Sequence, residues 1–257
     1  MREVSKLTID LNADLGESFG NYSIGNDSEI IPLISSANVA CGFHAGDPGV
    51  MIETVKRIKA SGSTGLGAHP GFLDLMGFGR RYMQLSDDEV YAMMLYQLSA
   101  LDGIARTYGL SINHVKPHGA LYNATFKDDN LARVIAKAVK DFNPELKLMG
   151  LANNNLVKAG EAAGLEVKNE VFADRAYEED GTLVSRSKEG AMITDSDLAA
   201  KRVIRMLKEG KVESISGKDI DIKADSICVH GDGEKALEFV KEIRRNLKEQ
   251  GIDIETF

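Results

Sequence analysis

The sequence predicts an α/β protein, a β/α barrel of seven strands. Three observations carry that expectation. Strand-like apolar runs recur seven times, helical segments separate them in a steady β-then-α order, and all five histidines fall in or beside glycine-bearing stretches that follow such runs. Loops leaving the carboxyl ends of parallel strands converge on one face, so polar residues far apart in sequence become neighbours there. The 257 residues suit one such barrel. No Pro/Gly/Ser linker, charge block or fixed-period repeat divides the chain, so 1–257 reads as a single domain.

The first run, 7–11, leads into Asp10-Leu11-Asn12-Ala13-Asp14, where the polar residues are even and the apolar ones odd. Residues two apart share a face of a strand. With Ile9 and Leu11 packed on helices, the even face looks into the barrel. The same rule sets Asn38 with His44, Lys116 with His118, and His230 with Asp232, while Val39, Val115 and Val229 face the helices. Polar groups inside a barrel cost free energy unless partnered, so this pattern points to a site rather than a core. Further strands are expected at 38–41, 64–68, 112–116, 146–151, 166–172 and 226–230.

Helices are expected at 49–60, 129–141, 154–163, 195–209 and 234–249. The clearest opens with Ser86-Asp87-Asp88-Glu89, a capping box, and carries Val90, Met94, Leu98, Leu101 and Ala105 on one stripe until near Gly109. The stretch 212–223, with Gly217 near its middle, reads as a small hairpin outside the barrel.

A formal charge of -8 argues against nucleic acid, which requires a concentrated cationic surface. The first six residues lack the apolar stretch of a secretory signal, and no run approaches a membrane-spanning length, so a soluble, cytoplasmic protein is expected. Cys41 and Cys228 each lie in a strand expected to be buried, where free thiols suit a reducing compartment.

The chemistry-bearing residues stand at the strand ends. Asp14 and Glu17 follow the first strand, although a turn cap and a solvated loop acid explain them equally well. His44 and Asp47 pair an imidazole with a carboxylate, and Asp47 also suits an N-cap before Pro48. His69 leads to Arg80 and Arg81 after a glycine-rich loop, a pair able to grip phosphate or carboxylate. Pro117 holds Lys116 extended and presents Lys116 and His118 at the mouth, while His114 lies deeper as a hydrogen-bonded structural residue. Glu170, Asp174, Arg175 and Tyr177 end another strand. His230 and Asp232 open the last long helix, whose backbone donors suit an anion. Neither a GxxxxGK[ST] loop nor a Rossmann fingerprint is present.

The stretches at 10–20 (Asp-Leu-Asn-Ala-Asp-Leu-Gly-Glu-Ser-Phe-Gly), 37–47, 77–81, 115–123, 172–177 and 229–232 together resemble the signature blocks of the LamB/YcsF family, in order and across nearly the whole chain. The resemblance implies a seven-stranded barrel related to polysaccharide deacetylases. It also implies ATP-dependent opening of 5-oxoproline to L-glutamate, shared with two separately encoded partner subunits, B and C. On this reading Asp14, Glu17, His44, Asp47, His69, His118 and His230 form an acid–base or metal-capable cluster, with Asp14, His44 and His69 the candidate ligands of a divalent cation. Asn12, Arg80, Arg81, Lys116, Glu170, Asp174, Arg175, Tyr177 and Asp232 would bind substrate or phosphate. Two alternatives stay open: a metal-dependent deacetylase of carbohydrate or amide, and a subunit that captures a small acid without catalysing. A homo-oligomer is compatible with either.

Overall fold

The computed structural model describes residues 7–229 and 236–257. In chain order the elements are β1 (Leu7–Leu15), α1 (Asp27–Ile30), β2 (Ser36–Ala40), α2 (Pro48–Ser61), β3 (Gly65–His69), α3 (Asp87–Thr107), β4 (His114–Val115), α4 (Gly119–Ala124) and α5 (Asp129–Phe142). They continue as β5 (Lys147–Leu151), α6 (Asn155–Ala162), β6 (Val167–Phe172), α7 (Ser196–Glu209), β7 (Lys211–Glu213), β8 (Asp219–Asp221), β9 (Ser226–Cys228), α8 (Ala236–Glu249) and β10 (Ile252–Ile254). Strands β1 to β6 pair in sequence order, all parallel, and β9 closes the barrel by pairing with both β6 and β1. Each of the seven expected strands is present. The expected hairpin is the antiparallel β7–β8 pair, separate from the barrel sheet.

Two differences from expectation have simple causes. The first strand continues to Leu15, because its polar residues are accommodated by the barrel interior instead of ending the strand. Strand β10, which pairs with Leu7–Ile9 of β1, is only three residues long and carries too little alternation to be read as a strand. Among the described residues no helix is long and apolar enough to cross a membrane.

The outward faces of the strands, Leu11, Val39, Val115, Val171 and Ile227 among them, join the apolar stripes of the helices in one continuous core. Helix α3 shows how the sequence builds such a stripe. Ser86 and Glu89 form the reciprocal capping box, and Val90, Met94, Leu98, Leu101 and Ala105 are all buried.

The barrel interior is polar throughout its depth. Register places Asp14 beside Asn38, Asn38 beside Gly67, and Gly67 beside His114. A side chain at Gly67 would meet the His114 ring at 2.1 Å, so glycine there makes the space in which the imidazole lies. At the lower end Asp10 accepts hydrogen bonds from Ser35 Oγ (2.6 Å), Ser36 Oγ (2.7 Å) and Ser226 Oγ. The upper end opens to the candidate site.

Candidate active site

Three histidines delivered by three different strand ends converge at the upper mouth. His69 is the last residue of β3, His44 lies in the turn after β2, and His118 is the N-cap of α4 just beyond β4. All three are buried. The His44 and His118 rings stack face to face, with centroids 3.7 Å apart and planes 3° from parallel, and His69 meets both edge-on. Glu17, in the loop after β1, brings Oε1 to 3.4 Å from His44 Nε2 and 3.7 Å from His118 Nδ1. One ligand-capable atom from each of Glu17, His44, His69 and His118 lies within 4.8 Å of the others.

Backbone carbonyls decide which nitrogens carry hydrogen. His69 Nδ1 is 2.7 Å from the Lys116 carbonyl and His118 Nε2 is 2.8 Å from the Phe78 carbonyl. A carbonyl only accepts, so both nitrogens must be N–H donors. In the neutral rings the remaining nitrogens, His69 Nε2 and His118 Nδ1, carry lone pairs, yet they face each other at 2.9 Å. Asp14 Oδ2 approaches the same His69 Nε2 at 3.2 Å. Acceptors aimed at one another in a buried site require a cation between them, a proton or a metal ion.

Electrostatics favour neutral, lone-pair-bearing rings. Burial, and next the nearby His69, push His118 down to about 3. Burial together with His118 and His69 holds His44 well below its ordinary value, and neither of its nitrogens has a hydrogen-bond partner among the described residues. Burial opposes the charge of Asp14, but His69 and Lys116 outweigh it and keep the carboxyl well below the usual range.

Lys116 has a different setting from the one expected. Its ammonium does not wait for an anion: it lies 2.6 Å from Glu170 Oε1 and 2.9 Å from Asp14 Oδ1, and donates to Asn12 Oδ1 at 3.2 Å. Burial disfavours the charge, yet Asp14, Cys228 and Glu170 raise its pKa well above the ordinary value. Tyr122 donates to Glu170 Oε2 at 2.5 Å, and Asn38 donates to both Asn12 and Asp14. Asn12 and Glu170 therefore support the site from inside the barrel. His114 Nε2 reaches Asn38 Oδ1 at 2.7 Å, the structural position expected of it.

A cavity of about 510 Å³ opens above the cluster. Asp14, Glu17, His69, Arg80, Lys116, His118 and Arg175 line it. Other expected site residues do not. Asp47 caps α2, accepting from the amides of Gly49 and Val50, and also holds Gly20 N at 2.7 Å, which commits the carboxylate away from the cluster. Arg81 is bound to Asp74 with its guanidinium largely in solvent. Tyr177 is fully buried and its hydroxyl accepts from Phe172 N, a structural role, while Asp174 is buried beside Arg175. The metal-capable group contains Glu17 and His118, and Asp14 stands next to it rather than within it. His230 and Asp232 lie outside the described residues.

Sequence reasoning marked the 77–81 loop for its arginines and missed the backbone role by which it shapes the mouth. Phe78 sits at φ 54° and points its carbonyl at His118, and Gly79 follows at φ 63°. A side chain at Gly79 would meet His44 at 2.6 Å and His118 at 2.7 Å. Glycine is thus required there both for backbone conformation and for space. Lys127, Asn154 and Arg186 also line the cavity.

Residues 9–257 match the LamB/YcsF family. A protein of Clostridium beijerinckii, named as the A component of 5-oxoprolinase, is 60% identical over 96% of this chain and 96% of its own length. The crystal structure of a lactam utilization protein from Thermus thermophilus superimposes with a TM-score of 0.92 at 47% identity, covering 98% of this chain and all of that one. A family 4 carbohydrate esterase from Streptomyces lividans, 14% identical, shares the fold alone, with a TM-score of 0.50 over 97% of this chain and 92% of its own.

Proposed function

The chain belongs to the LamB/YcsF family, and on that premise we propose that it is the lactam-opening component of an ATP-dependent 5-oxoprolinase, converting 5-oxoproline to L-glutamate. The observation that carries this reading is the convergence of His69 Nε2, His118 Nδ1, His44 and Glu17 at the floor of a cavity, with two tautomers set by carbonyls. The names of relatives 60% and 58% identical supply the substrate and imply companion subunits. Partners B and C complete the ATP-dependent assembly, and this chain has no GxxxxGK[ST] loop, so a nucleotide site on it would be of another design. Two free buried thiols suit a cytoplasmic setting.

The donor set, three imidazole nitrogens and one carboxylate oxygen, fits a divalent transition metal held by Glu17, His44, His69 and His118. When bound, such an ion would polarise the lactam carbonyl or make hydroxide available at neutral pH. The residues of the chain do the rest. Asp14, kept ionised by His69 and Lys116, lies 3.2 Å from His69 Nε2 and fixes that ring, while neutral His44 and His118 keep lone pairs ready to hold a cation or accept a proton. ATP, used by the complete assembly, converts the unreactive lactam into a better electrophile.

Glutamate formation from 5-oxoproline and ATP, measured with and without this chain in the presence of partners B and C, tests the function. Turnover is expected only from the complete assembly. Full turnover without this chain, or by this chain alone, would overturn the assignment. Calorimetric titration of metal-stripped chain with Zn²⁺ or Mn²⁺ tests the cluster separately, and His69→Ala should abolish the binding.

A further inference from the structure

Asp14 serves the cluster only while one of its oxygens points at His69, and its orientation is set from inside the barrel. Oδ1 accepts from Lys116 Nζ and from Asn38 Nδ2, each at 2.9 Å, which leaves Oδ2 facing His69 Nε2 at 3.2 Å. Lys116 has no choice of direction, because an ammonium only donates. Asn38 has one: the two ends of its amide are nearly the same shape, and a half-turn of the group would set a carbonyl oxygen against Asp14. Its amide hydrogens instead go to Asp14 and, at 2.8 Å, to Asn12 Oδ1, while its own Oδ1 lies 2.7 Å from His114 Nε2.

His114 locks that choice from the far side. Strand β3 separates β2 from β4, and the imidazole reaches across it to Asn38 because Gly67 leaves the space. Both Asn38 and His114 are fully buried. Were the amide turned, its NH2 would meet Nε2, which would have to be bare, and the ring hydrogen would move to Nδ1. Nδ1 is buried with no hydrogen-bond partner among the described residues, and the positive charges of Lys116 and Lys147 bear on the ring. An idle N–H in that field costs more than an idle lone pair. The hydrogen therefore sits on Nε2, where Asn38 Oδ1 accepts it, and every donor along the row from His114 to Asp14 has an acceptor.

We propose that His114 and Asn38 are positioning residues for the histidine cluster: His114 Nε2–H locks the Asn38 amide, and Asn38, together with Lys116, holds Asp14 so that its other oxygen stays on His69. The inference rests on the lactam-opening reading for the chemistry that His69 serves, and deepens it. Neither residue lines the cavity, so their influence reaches the substrate only through Asp14.

Long-range proton–nitrogen correlation spectra of the wild-type chain, with its histidines isotopically labelled, read the His114 tautomer directly. Hydrogen on Nε2 and a bare Nδ1 are expected, and the opposite tautomer overturns the proposal whether or not any variant folds. Metal-stripped chain is then titrated with Zn²⁺ as wild type, as His114→Leu and Asn38→Leu, which each remove a donor, and as His114→Gln, whose amide can restore one. Thermal melts accompany each variant. Loss of a hydrogen-bond partner behind a metal site costs roughly 10–100-fold in affinity or activity. Both leucine variants should therefore raise the Zn²⁺ Kd by roughly 10-fold or more and lower kcat of the assembly by a similar factor, with KM for 5-oxoproline little changed. His114→Gln should recover most of both. Wild-type affinity and kcat in a folded leucine variant, a folded His114→Gln as impaired as His114→Leu, or losses that follow the melting temperature alone would each overturn the proposal. Tautomer and Zn²⁺ affinity are measured without lactam or ATP, whereas glutamate formation by the wild-type assembly reports on the lactam-opening reading, so failure of one is distinguishable from failure of the other.

Discussion

The two ends of the barrel interior are both polar and both buried, yet they are organised on opposite principles. At the lower end Asp10 has a hydroxyl donor from Ser35, Ser36 and Ser226, so the acceptor demand of its carboxylate is met within the protein. At the upper end His69 Nε2, His118 Nδ1 and Asp14 Oδ2 face one another with more acceptors than donors. Burial of polar groups is therefore not itself the mark of a site. What distinguishes the mouth is an imbalance that only something brought from outside can correct.

Substitution of Lys116 is the most forceful way to test where the boundary between the two ends falls. Because its ammonium balances Asp14 and Glu170 in the barrel interior, Lys116→Met should destabilise the fold by about 3–5 kcal/mol, the cost of leaving buried charge unpaired. Denaturant melts would measure it. A variant as stable as wild type would place Lys116 with the reactive groups rather than the scaffold.

His69→Ala should show the reverse pattern. Turnover of the reconstituted assembly is expected to fall by roughly 100-fold or more while the melting temperature changes little. A loss of turnover that merely tracks unfolding would move His69 to the structural side. At the lower end, Asp10→Asn should cost about 1–3 kcal/mol through mismatched serine hydroxyls, with kcat of the folded fraction retained. A fall in kcat without loss of stability would erase the contrast.

Acidification acts through the buried histidines of the mouth and of the layer beneath it, with a smaller effect per residue. Burial, followed by Lys116, lowers His114 to about 3, and His44 and His118 are also lowered. A histidine depressed in the fold binds fewer protons than in the unfolded chain, so its contribution is complete above about 6.5 and is lost as pH falls below that value. His114 and His118 should each lose about 1.4 kcal/mol between pH 7.5 and 5.5, and His44 adds a loss of the same sign. Equilibrium melts across that interval check the sign, and greater stability at pH 5.5 would contradict the neutral assignment.

Much of this arrangement was legible in the residues. Apolar runs located the seven strands, and the even-numbered polar residues Asp10, Asn12 and Asp14 correctly indicated an inward face. Position after a strand also brought His44, His69 and His118 to one end. The remainder depended on partners that a linear pattern does not specify. Asp47 has the same local appearance as a site acid but is consumed by helix and loop amides. Lys116 looks like an anion binder until its distances to Asp14 and Glu170 are known. Arg186 lies in an exposed polar stretch, and only the closure of the barrel brings it to the cavity of Arg175.

The carbonyls of Lys116 and Phe78 carry a consequence for how this site tolerates change over generations. Every amino acid contributes a main-chain oxygen, so a point substitution at residue 78 can alter the side chain without deleting the acceptor that sets the His118 tautomer. An insertion or deletion between β3 and α3 would instead carry that oxygen away from the ring. Lineages of this barrel should therefore drift more freely in the identity of residue 78 than in the length of the segment that carries it, a pattern that insertion scanning beside saturation mutagenesis would expose.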